Sequence, residues 1–173
     1  PGERRVALVP ESCKKLVQAG YAVAVQAGAG ASAHFGDDAY TQAGASIEAD
    51  GAALLGSADF VCKVAPPTAA EVAAMRPGAF LLGALMPLRN LDVAEALAER
   101  KVSAFSTDLI PRTTRAQAMD TLSSMASIAG YKGVLLAAEA LNKYFPMLTT
   151  AAGMVFPAKV FVIGAAVAGL QAI

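Results

Sequence analysis

The sequence predicts an α/β fold, in which a parallel sheet with flanking helices is followed by a long connecting helix and the start of a second α/β domain. Short apolar segments alternate with amphipathic helical patterns through the first part of the chain, which is typical of a parallel sheet covered by helices. A long Ala-rich and Ser-rich stretch follows, and a second apolar segment then leads directly into a glycine turn.

The composition is that of a globular protein, because 55% of the 173 residues are hydrophobic and 16% are charged. Fourteen basic and fourteen acidic side chains cancel, so no excess charge favours nucleic acid or an anionic membrane surface. Cys13 and Cys62 have no other metal ligand at suitable spacing, and we interpret them as buried thiols in a reducing compartment. No metal site is predicted.

Proline and glycine residues mark the boundaries of the first predicted elements. Proline favours the first turn of a helix and glycine its end, while a cluster of three glycines breaks any regular pattern. The predicted order is a helix from Pro10 to Gly20, a strand over 21–25, a loop over 26–36, and a short helix capped by Asp37 and ended by Gly44.

The next elements repeat the strand and helix alternation. Thr68 and Glu71 have the spacing of a capping box, and Asn90 precedes a helical apolar stripe as an N-cap residue would. The predicted order is a strand over 59–64, a helix from Thr68 to Met75, a strand over 80–85, a helix capped by Asn90, and a strand over 102–105.

The composition and the apolar pattern of the sequence change at Asp120. Residues 121–143 carry a helical apolar stripe built from small residues, which would let a long helix pack close to its neighbours. We interpret this helix as a connection between domains. The prediction is an N-terminal α/β domain over residues 1–120, followed over 121–173 by the connecting helix and the start of the next domain.

The end of the chain has the context of a dinucleotide-binding fingerprint. A predicted strand over 158–163 runs into Gly164, which would supply the tight turn, and Gly169 would allow close helix–strand packing. Ala166 stands where the second glycine normally lies, so its methyl group is expected to crowd a pyrophosphate. The pattern predicts the truncated start of a Rossmann dinucleotide-binding domain; a strand followed by an Ala/Gly-rich core helix is the alternative.

The densest polar cluster of the chain, residues 110–124, joins a strand end to a helix start, where parallel α/β proteins place their sites. Arg112 and Gln117 offer hydrogen-bond donors, Asp120 offers an acceptor, and Ser123 can do either. Such a set can bind a carboxamide and ribose hydroxyls. The alternative is a solvated loop in which Asp120 is an ordinary helix cap.

Several segments together resemble a known family. The matching segments are Gly2–Glu11, Gly28–Gly30, Asp37–Tyr40, Ala43–Ala45, Lys63–Val64, Pro111–Ser124, Ala129–Tyr131, Phe145–Leu148 and Val167–Ala172. The chain resembles the NAD(H)-binding part of the alpha subunit of proton-translocating NAD(P) transhydrogenase, a family related to alanine dehydrogenase. Members ordinarily begin with a further strand and continue beyond the last residue of this chain, so the resemblance implies a fragment.

The resemblance implies a role for individual residues. The loop holding the nicotinamide end of NAD(H) would contain Arg112, Gln117, Asp120 and Ser123. The pyrophosphate would contact Gly164, Val167, Ala168 and Gly169, and Tyr131 would lie near the site. Gln117 and Asp120 are the candidates for a catalytic role.

The resemblance also implies an activity and an assembly. The chain would belong to an oxidoreductase and translocase that passes hydride between NAD(H) and NADP(H), coupled to proton translocation. NADP(H) would be bound by a partner component, beside a membrane proton-channel component, and the NAD(H)-binding part would be a homodimer. It would be inactive without the complex and would lie on the cytoplasmic face of a bacterial inner membrane, or on the matrix side in a mitochondrion.

Two alternatives remain open at this point. An alanine dehydrogenase would need groups that move protons and hold a carboxylate, and Arg5 and Lys63 match positions that such enzymes use. Residues 81–87 lack the histidine found there in alanine dehydrogenases, and we interpret His34 as a loop histidine. Arg5 could equally be a sheet-edge charge and Lys63 an ion-pair partner.

The second alternative is a non-catalytic fragment that keeps the fold without binding nucleotide. Ala166 and the missing second half of the nucleotide domain favour it.

Overall fold

The computed structural model describes residues 2–173, which divide into two compact units, one extending to Ile110 and the other covering Pro111–Ile173. Both contain helices, and the strands of the first unit are all parallel. The predicted α/β fold class is confirmed. The domain boundary at residue 120 stays a prediction.

The first unit alternates strands with helices, as predicted. Its elements are α1 (Pro10–Gln18), β1 (Ala24–Gln26), a 3-10 turn (Ala31–Ala33), α2 (Asp37–Gln42), β2 (Ser46–Glu48), α3 (Gly51–Ser57), β3 (Phe60–Cys62), α4 (Ala69–Ala74), β4 (Phe80–Gly83), α5 (Leu91–Glu99), β5 (Ser103–Ser106) and a 3-10 turn (Thr107–Leu109). β2 and α3 were not predicted.

The parallel strands form two sheets and not the single sheet that was expected. β1 pairs with β2, with Val25 opposite Ile47, while β4 lies between β3 and β5. Each sheet has its own core. One core contains Cys13, Val25, Tyr40 and Ala45, and the other contains Val61, Val72, Met75, Leu81, Leu85, Leu97 and Val102.

The predicted helix caps have mixed outcomes. The capping box of Thr68 and Glu71 is present at the start of α4 and is confirmed. Asp37 is not a cap, because Gly36 occupies the N-cap position and the Asp37 carboxylate instead accepts a hydrogen bond from the Gly28 amide at 2.9 Å. This bond closes the glycine loop before α2.

Asn90 occupies the N-cap position of α5, but its side chain makes no capping hydrogen bond. Its amide group donates to the carbonyl oxygens of Leu85 and Met86, at 2.9 and 3.2 Å. The predicted role is therefore wrong in detail, since Asn90 stabilises the turn that leaves β4 and not the first amides of the helix.

The second unit begins with a 3-10 turn (Thr114–Met119) and the long α6 (Thr121–Ala140), and continues with β6 (Leu148–Thr150), β7 (Gly153–Val155) and α7 (Val167–Ala172). The long helix is confirmed, although it ends before the predicted residue 143. Within residues 2–173, no helix is long and apolar enough to cross a membrane.

Two features of the second unit differ from the sequence prediction. The hairpin of β6 and β7 is antiparallel and was not predicted. The strand predicted over 158–163 is wrong: across the described part of the chain no strand pairs with these residues, and a β-strand requires such a partner. Phe161 and Ile163, the apolar residues that predicted it, are 88% and 90% exposed.

Candidate functional site

The two segments with predicted binding residues both lie in the second unit, at two places along α6. The polar segment, Arg112–Ser123, leads into the first turn of α6. The glycine turn, Gly164–Gly169, includes the first residues of α7, and α7 packs against α6. One helix thus connects the predicted nicotinamide residues to the predicted pyrophosphate residues.

Asp120 is fixed at the start of α6 by Ser123. One carboxylate oxygen accepts the Ser123 amide at 2.9 Å, and the other accepts the Ser123 hydroxyl at 2.6 Å. These hydrogen bonds, together with the positive charge of Arg112, hold the pKa of Asp120 below its usual range. Asp120 is therefore a helix cap, as the structural alternative predicted, and it is also an ionised acceptor.

Arg112 and Gln117 are exposed, whereas Asp120 and Ser123 are partly buried. The segment thus presents exposed donors beside a fixed acceptor. A neutral carboxamide carries one acceptor and one donor group, and ribose hydroxyls can act as either. The donor and acceptor set therefore fits the polar part of a nicotinamide nucleoside.

The glycine turn has the tight geometry that its sequence predicts. Gly164 has a φ of +98°, a conformation that favours glycine, and a Cβ atom added to Gly169 would lie 1.9 Å from the Gly164 carbonyl oxygen. The tight turn predicted at Gly164 is confirmed, whereas Gly169 lies against the turn itself and not against the predicted strand. Ala166 is exposed and is the N-cap residue of α7, with an extended backbone.

A third glycine, which no sequence pattern indicated, completes this arrangement. Gly130 is the buried residue of α6, and a Cβ atom added there would lie 2.2 Å from the carbonyl oxygen of Ala168 in α7. The abundance of small residues predicted close packing of this helix but not its partner. Tyr131, next to Gly130, is 58% exposed.

Lys63 and Arg5, which the resemblance to alanine dehydrogenases matches to substrate positions, each have a carboxylate partner. The Lys63 ammonium group, just after β3, forms an ion pair with Glu71, whose other oxygen accepts the Thr68 amide at 2.7 Å. Arg5 forms an ion pair with Glu3 at 2.8 Å. Lys63 is thus an ion-pair partner, as one alternative predicted, whereas Arg5 lies outside any strand and is not a sheet-edge charge.

The Arg5 ion pair gives a measurable prediction. Hydrogen bonds from the side chain and amide of Arg5 lower the pKa of Glu3 to about 2. The pair stabilises the fold above the unfolded-state pKa of Glu3, and this stabilisation is lost as the pH falls through about 2. Arg5→Ala should return the pKa of Glu3 towards its ordinary value of about 4.3, measured by NMR titration of the carboxyl carbon.

Arg4→Ala is the matched control for this titration, because it removes a neighbouring exposed guanidinium that makes no ion pair with Glu3. An unchanged Glu3 titration in Arg5→Ala would contradict the ion pair.

The remaining candidate residues take no part in this site. His34 is an exposed loop residue with a φ of +64°, which confirms the predicted loop position. Cys13 is a buried free thiol as predicted, whereas Cys62 is only partly buried. Burial raises the pKa of both thiols. Among residues 2–173, no group of three or more His, Cys, Asp or Glu side chains could hold a metal ion.

Two family descriptions match nearly the whole chain. Residues 1–129 match "Alanine dehydrogenase/PNT, N-terminal domain", and residues 133–173 match "Alanine dehydrogenase/PNT, C-terminal domain". A curated relative, an NAD(P) transhydrogenase alpha subunit from Rhodospirillum rubrum, is 49% identical over 178 residues, which cover 100% of this chain and 46% of the relative.

Solved structures give the same assignment. The crystal structure of transhydrogenase from Sinorhizobium meliloti has a TM-score of 0.94 at 45% identity, over 99% of this chain and 51% of that one. An L-alanine dehydrogenase structure has a TM-score of 0.84 at 28% identity, over 98% of this chain and 47% of that one. The chain thus spans about half the length of these relatives.

Proposed function

The chain belongs to the alanine dehydrogenase/PNT family, and from that premise we propose that it is the NAD(H)-binding part of a proton-translocating NAD(P) transhydrogenase. The observation that carries the proposal is the connection of the polar segment to the glycine turn through α6 and α7. Asp120 and Gly130 lie ten positions apart, which corresponds to about 15 Å along the helix at 1.5 Å per residue. A ligand that contacted both segments would therefore have to extend along this part of α6.

The chain's own residues would bind and orient the dinucleotide. Arg112 and Gln117 would donate to the carboxamide and ribose oxygens, and Asp120 and Ser123 would accept from the corresponding donor groups. Gly164, Val167, Ala168 and Gly169 would offer backbone to the pyrophosphate, where side chains would obstruct it. The methyl group of Ala166 would weaken this contact.

Transfer between two nicotinamide rings requires orientation more than acid–base groups. The nicotinamide ring itself supplies the hydride chemistry when bound. The protein has to hold the ring at a fixed angle and keep water away from it, because a misplacement of about 1 Å can cost about a hundredfold in rate. Gln117 and Asp120 therefore act as orienting groups in this proposal, and neither has to exchange a proton.

The family assignment supports a proposal for the rest of the assembly. We propose a homodimer that acts with an NADP(H)-binding component and a membrane proton-channel component. It would lie on the cytoplasmic side of a bacterial inner membrane, or on the matrix side in a mitochondrion. Without those components the chain would bind NAD(H) but would turn over no substrate.

Binding is tested by titrating NADH into the purified chain and following the fluorescence of the reduced nicotinamide. The same titration is made on a chimera, in which the chain is continued by the rest of the Rhodospirillum rubrum relative. Saturable binding of NADH in preference to NADPH is expected in at least one protein. Absence of binding in both would overturn the proposal and favour a non-catalytic chain with the same fold.

Activity is tested by mixing the NADH-binding protein with an NADP(H)-binding transhydrogenase component. We expect hydride transfer between the two nucleotides, and none when either protein is omitted.

An alanine dehydrogenase is the second candidate, because the chain resembles such an enzyme in structure. The resemblance in sequence also implies that Lys63 stands at a substrate position. The ammonium group of Lys63 is already paired with Glu71, so an amino-acid carboxylate would have to share it. We expect no NADH formation from alanine and NAD, and we expect Lys63→Gln to leave NADH binding unchanged. Alanine oxidation that Lys63→Gln abolishes would establish the second candidate instead.

A further inference from the structure

We propose that Gly130 is a positioning residue of the dinucleotide site, because its missing side chain sets the spacing between the polar segment and the glycine turn. The inference rests on the proposed function, in which the polar segment holds the nicotinamide half and the glycine turn holds the pyrophosphate. Gly130 itself touches neither half.

Backbone atoms occupy the space that a side chain at Gly130 would need. A Cβ atom would lie 2.2 Å from the carbonyl oxygen of Ala168, 2.9 Å from its carbonyl carbon and 3.1 Å from its Cα. A rotating side chain could move out of the way, but these atoms belong to the first turn of α7. Carbon and oxygen atoms in contact are ordinarily about 3.3–3.6 Å apart, so α6 and α7 would have to separate by about 1 Å.

The requirement for a glycine is specific to position 130 of α6. Gly133 lies almost one turn further along the same helix, and a Cβ atom added there meets nothing within 4 Å. Helix propensity alone would favour alanine at both positions, by about 1 kcal/mol each. Close approach to α7 is thus a physical reason for glycine at 130, and it does not apply at 133.

The separation of α6 and α7 would weaken the binding of a ligand that contacts both the polar segment and the glycine turn. Asp120 and Ser123 are held at the start of α6 by their mutual hydrogen bonds, so they move with the helix. The glycine turn is held together by its own close contact between Gly164 and Gly169. A methyl group at Gly130 would therefore change the distance between two segments that each stay intact.

The test compares Gly130→Ala with Gly133→Ala, made in whichever protein, chain or chimera, binds NADH. Each variant is titrated calorimetrically with NADH, which spans both segments, and with ADP, which has the adenosine and the pyrophosphate but no nicotinamide half. We expect Gly130→Ala to raise the dissociation constant for NADH about tenfold, the cost of one mismatched hydrogen-bonding group, and that for ADP less than about twofold. Gly133→Ala should change neither constant by more than about twofold.

The outcomes separate this inference from the proposed function. If the unsubstituted protein does not bind NADH, both fail. If it binds NADH but Gly130→Ala behaves as Gly133→Ala does, only the positioning role is overturned. Equal losses of NADH and ADP binding in Gly130→Ala, or loss of its thermal unfolding transition, would also overturn it, because Gly130 would then be required for folding and not for spacing.

Discussion

Gly169→Ala is expected to abolish measurable binding of both NADH and ADP, with dissociation constants raised at least about a hundredfold. The added Cβ atom would lie 1.9 Å from the carbonyl oxygen of Gly164 and 3.0 Å from its carbonyl carbon. Overpacking against backbone that cannot repack typically costs about 1–3 kcal/mol, occasionally more, so the turn would open and not merely adjust. Both ligands would be affected because both contain the pyrophosphate that the turn is proposed to hold.

Gly56→Ala is the matched control, since Gly56 also lies within a short helix but its added Cβ atom would meet Ala74 at an ordinary 3.5 Å. Calorimetric titration of both variants gives the dissociation constants, and circular dichroism checks that both are folded. Gly169→Ala protein that is folded and binds ADP as tightly as the unsubstituted protein would contradict a pyrophosphate site at this turn.

The parts of the fold that the sequence predicted correctly have local causes. The capping box at Thr68 and Glu71 is made within one helical turn, so its spacing in the sequence is sufficient to place α4. β2 escaped prediction because Ile47 is its single apolar residue, between Ser46 and Glu48, and because its pairing with β1 involves residues distant in the sequence. Division of the strands into two sheets depends on such distant pairings as well.

The same distinction, between structure formed by neighbouring residues and contacts between distant ones, applies to the candidate site. The cap at Asp120, which the sequence offered as the alternative to a binding residue, and the turn at Gly164 are local structures, so a few neighbouring residues were sufficient to indicate both. The contact between Gly130 and Ala168 joins residues far apart in the chain, so no local pattern could reveal it. The failed strand over 158–163 has the same explanation, because apolar residues favour a strand but only a neighbouring strand completes one.

Arg112→Ala is expected to raise the dissociation constant for NADH between about tenfold and a hundredfold, while leaving that for ADP nearly unchanged. A hydrogen bond to a charged group contributes about 1.5–3 kcal/mol, and each 1.4 kcal/mol corresponds to a factor of ten. Arg112 is exposed, so its guanidinium can reach a ligand without first losing a buried partner. Its charge also lowers the pKa of Asp120, so the variant should show a higher Asp120 pKa by NMR titration.

Arg115→Ala is the matched control for charge, because Arg115 is an equally exposed arginine three positions further along the polar segment. A nonspecific attraction between positive charge and the phosphates would make the two variants equally weak, and the loss would diminish at high salt. A specific contact to the nicotinamide half predicts a selective loss in Arg112→Ala that persists at high salt. Equal NADH affinity in Arg112→Ala and Arg115→Ala would therefore remove Arg112 from the proposed site, whereas a loss of ADP binding as well would place it at the pyrophosphate.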